Sequence, residues 1–231
     1  MTNGQCMTAR IIMSTAERKE RERLQRYNSI LDASEEIFFI KGFKRATVEQ
    51  IAKKAQLSKG AIYLYFNSKE LIYVGIAIRA NNLLRSKFIE AAKGGHNGLE
   101  KTARIGQAYY DFAQEYPNYF RVMSFVERFD SRMFEKIKHD PLATEAHDSG
   151  QAILKVLADV IQGGIDDGSI RDSINPMRAA VQLWAQSNGV IQLAQNWRCH
   201  VKTHDIDLGD PFLDFQDFTR RSLASKEFLK C

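Results

Sequence analysis

Three helix-start signals stand within twenty-one residues of one another, and a cluster of short helices is the arrangement that satisfies them together: Thr47 with Gln50, Ser58 before Lys59-Gly60-Ala61, and Asn67 with Glu70. Threonine with glutamine three residues on forms a capping box, the hydroxyl taking the Gln50 amide while the Gln50 side chain reaches back. Ser58 is a good N-cap, and Asn67 with Glu70 at N3 reads as a second box. Since each start must end what precedes it, the spacing predicts a helix from Thr47 to near Gln56, a second over Lys59–Phe66, and a third from Asn67 to about Ala92, before Gly94-Gly95. Ile51, Ala52 and Ala55 give the first a narrow apolar face, and Ile62 and Phe66 pair at i, i+4 in the second. Two helices crossing at alanines, with apolar Leu57 just after the turn, are what a helix-turn-helix requires.

Upstream, a long amphipathic helix is expected from about Ala16 to Lys41, with Leu24, Tyr27, Ile30, Leu31, Ile37, Phe38 and Ile40 as its stripe and Gly42 as its stop. Its first turns, ERKERERLQR, alternate in charge and leave arginines available to a polyanion. Residues 1–15 are polar, small and aperiodic, and are expected to be disordered. Residues 16–70 then form the helix-turn-helix domain and 71–231 a helical second domain, so the fold class is all-α. In that second domain helices are expected over Leu99–Tyr116 and Asn118 to about Lys138, parted by Pro117. His139–Gly150 reads as a loop, Gln151–Ile161 and Pro176–Trp197 as apolar helices split by GGIDDGSIRD, His200–Pro211 as a loop, and Phe212–Leu229 as a last helix.

Charge is unevenly placed. Residues 1–69 hold 13 lysines and arginines against 7 acids, whereas the other 162 residues hold 20 against 21, so the net +5 comes from the helix-turn-helix end. A basic module on a near-neutral body suits a phosphate-bearing partner. No run of about 18 apolar residues could span a membrane. Met1–Arg10 is polar with no apolar segment after it, so the expectation is a cytoplasmic protein. Cys6, Cys199 and Cys231 are scattered and make no disulfide framework. Cys199, His200 and His204 lie close together but lack a second ligand cluster, so no metal or cofactor is expected. There is no nucleophile elbow or phosphate-cradling glycine loop, and His139 and His147 have no evident partners; the chain does not read as an enzyme.

The stretch TVEQIAKKAQLSKGAIYLYFNSKEL, Thr47 to Leu71, with its core S-K-G-x-x-Y-x-Y-F-x-S-K-E, resembles the helix-turn-helix signature of the TetR family of bacterial transcriptional regulators, and the likeness reaches back through ILDASEEIFFIKGFKRAT. The resemblance implies a recognition helix over Ser58–Phe66, entering the major groove N-terminus first. Amides near Ser58 and Lys59 would attract a phosphate, and Gly60 would let the backbone approach DNA closely. Thr47, Tyr63, Tyr65 and Lys69 would position the protein on phosphates, while Lys59 and Ala61 would meet base edges. One departure stands out: where the family usually has glycine in the turn, this chain has Gln56, and a non-glycine residue at positive φ costs roughly 1 kcal/mol.

The same resemblance makes the second domain regulatory. Tyr109, Tyr110, Phe112, Phe120, Met123, Phe125, Phe129 and Met133 crowd two adjacent helices, and most would serve as ordinary helix–helix core. A largely apolar pocket for a small-molecule inducer is expected from among Tyr109, Phe112, Phe120, Met123, Phe125 and Trp184. Asp111, Glu115 and Glu127 would favour a cationic lipophile if they faced it, and equally could face solvent. A homodimer on a palindromic operator would double the phosphate contacts, with Ile153, Val156, Leu157, Val160, Val181, Trp184, Val190 and Ile191 as candidates for its interface. The expectation is a repressor of double-stranded DNA released by an apolar or amphipathic ligand. The alternative is a ligand-independent architectural or cell-cycle DNA-binding protein of the same fold.

Overall fold

In the computed structural model, which describes residues 14–124, 135–196 and 211–229, Ser14 caps the first helix, α1 (Thr15–Lys41). Its hydroxyl accepts the Glu17 amide at 3.2 Å and its own amide donates to the Glu17 carboxylate at 2.7 Å, a capping box at the edge of the expected disordered leader. The rest of that leader, residues 1–13, lies outside the described residues. α1 ends at Gly42, whose φ of +76° suits glycine. Two members of the expected stripe fall off it: Leu24 and Ile40 are exposed, and Ala33 and Ser34 are buried instead beside Ile30, Leu31 and Phe38.

The chain divides into two compact units, one through Ile72 and one from Tyr73. In the first, α1 packs on α2 (Val48–Lys54), and α2 packs on α3 (Lys59–Tyr63). Ile30, Leu31, Phe38, Ile51, Ala52, Ile62 and Phe66 form the core, and Tyr27 stacks on Phe66 at 4.9 Å. The next helix, α4 (Lys69–Lys93), corrects an expectation: its cap is Ser68, not Asn67. The Ser68 hydroxyl accepts the Leu71 amide at 3.2 Å and its carbonyl the Ile72 amide, which moves Glu70 off the N3 position.

The second unit holds α5 (Gly98–Glu115), α6 (Pro117–Met123), α7 (Pro141–Asp166), α8 (Pro176–Asn196) and α9 (Pro211–Leu223). α7 packs along α8 and against α5, and α9 packs on α8 and α5. α6 ends at Ser124, well short of Lys138; residues 125–134 lie outside the described residues, and Phe125, Glu127, Phe129 and Met133 with them. The expected loop over His139–Gly150 is instead the first part of α7. Asp140 is its N-cap, accepting the Leu142 amide at 3.0 Å, and Pro141 occupies the first turn, where its missing N–H is no loss.

The GGIDDGSIRD turn likewise begins later than expected, because Gly163 and Gly164 are helical. Gly164 is where α7 meets α5: a Cβ on Gly98 would stand 2.1 Å from the Gly164 Cα, so the backbones touch there only because neither residue has a side chain. Asp167 and Ser169 secure the junction by accepting the Gly98 and Leu99 amides at 2.8 and 3.1 Å. α9 stops at Leu223, short of Leu229, since the chain beyond pairs with that turn through Arg171 N–H to Leu223 O and Ser225 N–H to Ser169 O, each 3.0 Å.

Candidate functional site

The turn between α2 and α3 sets the first site. The Leu57 amide donates to the Ala52 carbonyl at 2.9 Å and the Gln56 amide to Lys53 at 3.3 Å, the paired bonds of a Schellman motif. The residue at its left-handed position is Gln56, at φ +56°. The expected departure from glycine is therefore a strained residue at the position that fixes the angle between the two helices.

Around this turn, Thr47 is exposed, and its hydroxyl and amide close the capping box with Gln50 at 3.3 Å each. The Ser58 hydroxyl accepts the Ala61 amide at 3.1 Å. α3 is shorter than expected, ending at Tyr63, because the Ile62 carbonyl takes both the Tyr65 and Phe66 amides at 3.0 Å and tightens the last turn. Lys59 is exposed, ion-paired with Glu49, and 5.9 Å from the centre of the Tyr63 ring. That pair holds the Glu49 carboxyl below its ordinary range and the Lys59 ammonium above it. Tyr63 is 42% exposed, while Ala61 and Tyr65 are half-buried. At Gly60 a Cβ would meet nothing nearer than the Ser58 hydroxyl at 3.8 Å, so the chain's own packing does not call for glycine there. Lys69 is half-buried and donates to the carbonyls of Phe43 and Ala46 at 2.9 Å each, with its ammonium 4.4 Å from the Phe43 ring centre. Any phosphate contact from Lys69 would be shared with that duty.

Arg23 and Arg26 belong to the arginines of ERKERERLQR expected to be available to a polyanion, whereas Leu64 is not among the expected contact residues. All three line a shallow groove with Leu57, Ala61 and Tyr65. The signal was present in the sequence: Arg23 stands one turn before Tyr27, and the stack of Tyr27 on Phe66 brings that face of α1 beside α3. Leu64 is 84% exposed, an apolar side chain between the two tyrosines.

The second site is a cavity of about 60 Å³ among α4, α5, α7, α8 and α9. Leu84, Phe88, Leu99, Ile105, Ile153, Leu157, Leu183, Phe212, Phe215 and Leu223 supply most of its wall. Tyr109 and Trp184 lie on it, but three other expected residues do not. Phe112 and Phe120 are fully packed against neighbouring aromatics, and half-buried Met123 packs on the same core; Phe125 is outside the described residues. The Tyr109 hydroxyl bonds Asn188 Oδ1 at 3.0 Å. Burial raises its pKa far above the ordinary range, outweighing bonds to Asn188 and Trp184 that lower it, so Tyr109 stays neutral.

Two of the acids expected to favour a cation, Asp111 and Glu115, face elsewhere. Asp111 is exposed and accepts from Gln107 at 2.8 Å, and Glu115 pairs with Lys87 at 2.7 Å on the surface. Among the described residues no group of histidines, cysteines and acids could hold a metal ion, and no helix is long and apolar enough to cross a membrane. Cys199, His200 and His204 lie outside the described residues.

The expected dimer residues divide. Ile153, Leu157 and Ile191 are buried within the single chain, the first two on the cavity wall, so they cannot supply an outer face. Val156, Val160 and Val190 are half-buried, as is Trp184, and Val181 is 42% exposed on α8 with Met177 and Leu193 also exposed.

A basic helix-turn-helix unit joined to a helical unit with an apolar cavity is the plan of a DNA-binding transcriptional regulator. Residues 30–74 match the family model described as bacterial regulatory proteins, tetR family, and residues 102–214 match that of the tetracyclin repressor-like C-terminal domain. The chain belongs to the TetR family. It is 23% identical over 163 residues to the fatty acid metabolism regulator protein of Bacillus subtilis, covering 71% of this chain and 79% of that one. It is 39% identical to the A-factor receptor protein of Streptomyces griseus over 54 residues, which span 23% of this chain and only 20% of the receptor. In fold it is similar to the regulator FadR from Bacillus subtilis in complex with stearoyl-CoA, with a TM-score of 0.64 at 20% identity, covering 86% of this chain and 98% of that one.

Proposed function

We propose that the protein is a cytoplasmic homodimeric repressor whose operator affinity falls when a small lipophilic molecule enters the cavity of the second unit. The observation that carries the reading is that cavity: an apolar space inside a regulator's helical unit, where a core would otherwise close up. The similarity to a fatty acid metabolism regulator supports a lipophilic ligand. On DNA, Thr47, Ser58, Tyr63 and Tyr65 position the protein on phosphates, with Arg23, Arg26 and Lys69 adding charge. Lys59, Gly60, Ala61 and the exposed Leu64 face base edges, Leu64 suiting a thymine methyl. Two protomers joined through the α8 face carrying Met177, Val181 and Leu193, with Val156, Val160 and Val190 at its edges, would present two such heads to a palindrome. An architectural DNA-binding protein has no need of an apolar cavity, which disfavours that alternative.

Operator selection from random duplexes, followed by binding measured with and without a panel of lipophiles, tests the reading. A palindromic consensus, a two-protomer complex and ligand-dependent release are the expected results. Binding that no lipophile alters, with no lipophile raising the melting temperature, would leave the architectural alternative.

A further inference from the structure

Serines inside helices ordinarily turn their hydroxyls back onto their own backbone. Ser34 donates to the Ile30 carbonyl at 2.6 Å and Ser86 to the Asn82 carbonyl at 3.0 Å, each four residues before it. Ser187 on α8 does not. It is only 6% exposed, and its hydroxyl has no hydrogen-bond partner among the described residues. It lies on the cavity wall with Leu183 and Trp184, four and three residues before it, so the three share the face that α8 turns to the cavity.

The other polar groups of the wall are not open in this way. The Thr102 hydroxyl donates to the Gly98 carbonyl at 2.8 Å, Tyr109 bonds Asn188 Oδ1 at 3.0 Å, and half-buried Gln216 donates to Gln107 at 3.2 Å. Arg220, at the rim, is exposed and paired with Asp217 at 3.3 Å. The Thr219 hydroxyl lacks a partner too, but its oxygen is sealed off from cavity and solvent alike, whereas the Ser187 oxygen is not sealed. One buried hydroxyl therefore opens on the cavity with nothing to bond, at a place where alanine would hold the helix better if packing were its whole role.

Resting on the lipophile reading above, we infer that Ser187 is the polar anchor of the cavity: it takes an uncharged, slender hydrocarbon bearing one hydroxyl or carbonyl oxygen, which bonds to the Ser187 hydroxyl. Slenderness follows from the volume, since about 60 Å³ would hold only about four to six waters on the same measure. Neutrality follows from the wall, whose one charged residue is already paired at the surface, leaving a buried carboxylate or ammonium uncompensated. An anion could be met only at the rim, where it would compete with Asp217 for Arg220. A hydroxyl both donates and accepts, so Ser187 serves an alcohol or a carbonyl equally.

The test uses the full-length protein and three six-carbon probes, n-hexane, hexan-1-ol and hexanoate, each scored in sealed cells by the rise in melting temperature and by equilibrium binding. Wild type should bind hexanol about five- to tenfold more tightly than hexane, the worth of one hydrogen bond, and should bind hexanoate more weakly than hexanol. Ser187→Ala should melt no lower than wild type without ligand, keep its hexane affinity and lose the preference for hexanol; Ser187→Thr, which keeps the hydroxyl, should retain that preference. Hexane binding with no preference for hexanol would mean that water, not a ligand, satisfies Ser187, and would overturn the inference. So would a preference that survives Ser187→Ala, or an unliganded Ser187→Ala protein that melts lower because the hydroxyl was already bonded. Hexanoate binding as tight as hexanol and abolished in Arg220→Gln would move the anchor to the rim. Each of these leaves the cavity a lipophile site; failure of both hexane and hexanol to bind would overturn the underlying reading as well.

Discussion

Gln56 offers the sharpest test of how the helix-turn-helix is held. At φ +56° it fills the left-handed position of the Schellman turn that joins α2 to α3. A side chain with a Cβ there costs about 1–2 kcal/mol, which glycine avoids. Glycine in turn makes the unfolded chain more flexible, giving back about 0.4–1 kcal/mol. Gln56 is exposed, so its removal sacrifices no core packing. Gln56→Gly should therefore stabilise the first unit by roughly 0.5–1 kcal/mol, a rise of a few degrees in its melting temperature. Gln56→Asn should fall between glycine and wild type, Gln56→Ala should be nearly neutral, and Gln56→Val should be the least stable because branching at Cβ worsens the left-handed conformation.

Urea unfolding of the four variants, with hydrogen exchange of the Leu57 and Gln56 amides as the local readout, checks the order. Both amides donate within the turn, so their protection should rise in the glycine variant. If glycine destabilised the unit, or if alanine and glycine were equal, strain at this φ would not be what the turn stores and the reasoning would be wrong.

Three further outcomes are expected. Gly98→Ala forces a Cβ to within 2.1 Å of the Gly164 backbone and should destabilise the second unit by at least about 2 kcal/mol in denaturant unfolding, far beyond an ordinary helix substitution. Arg26→Ala should weaken operator and non-operator duplexes alike and lower the slope of log affinity against log salt by about one, in fluorescence anisotropy titrations; a change in sequence preference would place Arg26 at the bases instead. For Asp167, burial works to raise its pKa, but hydrogen bonds from Ser169 and the Gly98 amide outweigh it and hold the carboxyl below the ordinary aspartate value. A pKa lowered by folding gives stability that is complete above the unfolded value and lost as pH falls through the folded one. Wild type should thus outlast Asp167→Asn in thermal melts at neutral pH, and the gap should close on acidification below the ordinary aspartate pKa.

What the sequence made legible was chemistry that acts within a few residues. Thr47 with Gln50 and Ser58 with Ala61 are bonds of three residues' span, and each forms where the sequence alone places it. Pro141 is ambiguous in the sequence because proline marks a loop and a first helical turn equally well; the Asp140 carboxylate decides between them by taking the Leu142 amide. Gly163-Gly164 is ambiguous for a different reason. Two adjacent glycines look like a turn, and what keeps Gly164 in a helix lies 66 residues away at Gly98. The cavity was the least legible part. An aromatic-rich pair of helices predicts a dense core, and Phe112 and Phe120 are that core.

The narrow cavity bears on how much regulation such a ligand could exert. Hundredfold release of an operator requires about 2.7 kcal/mol of preference for the weakly binding state, however tightly the ligand binds overall. Each methylene buried contributes about 0.8 kcal/mol. If the ligand-bound state widens the wall so that three or four more methylenes are buried than the present cavity of about 60 Å³ admits, that difference alone supplies the coupling. The length of the ligand's hydrocarbon would then set how far the equilibrium moves.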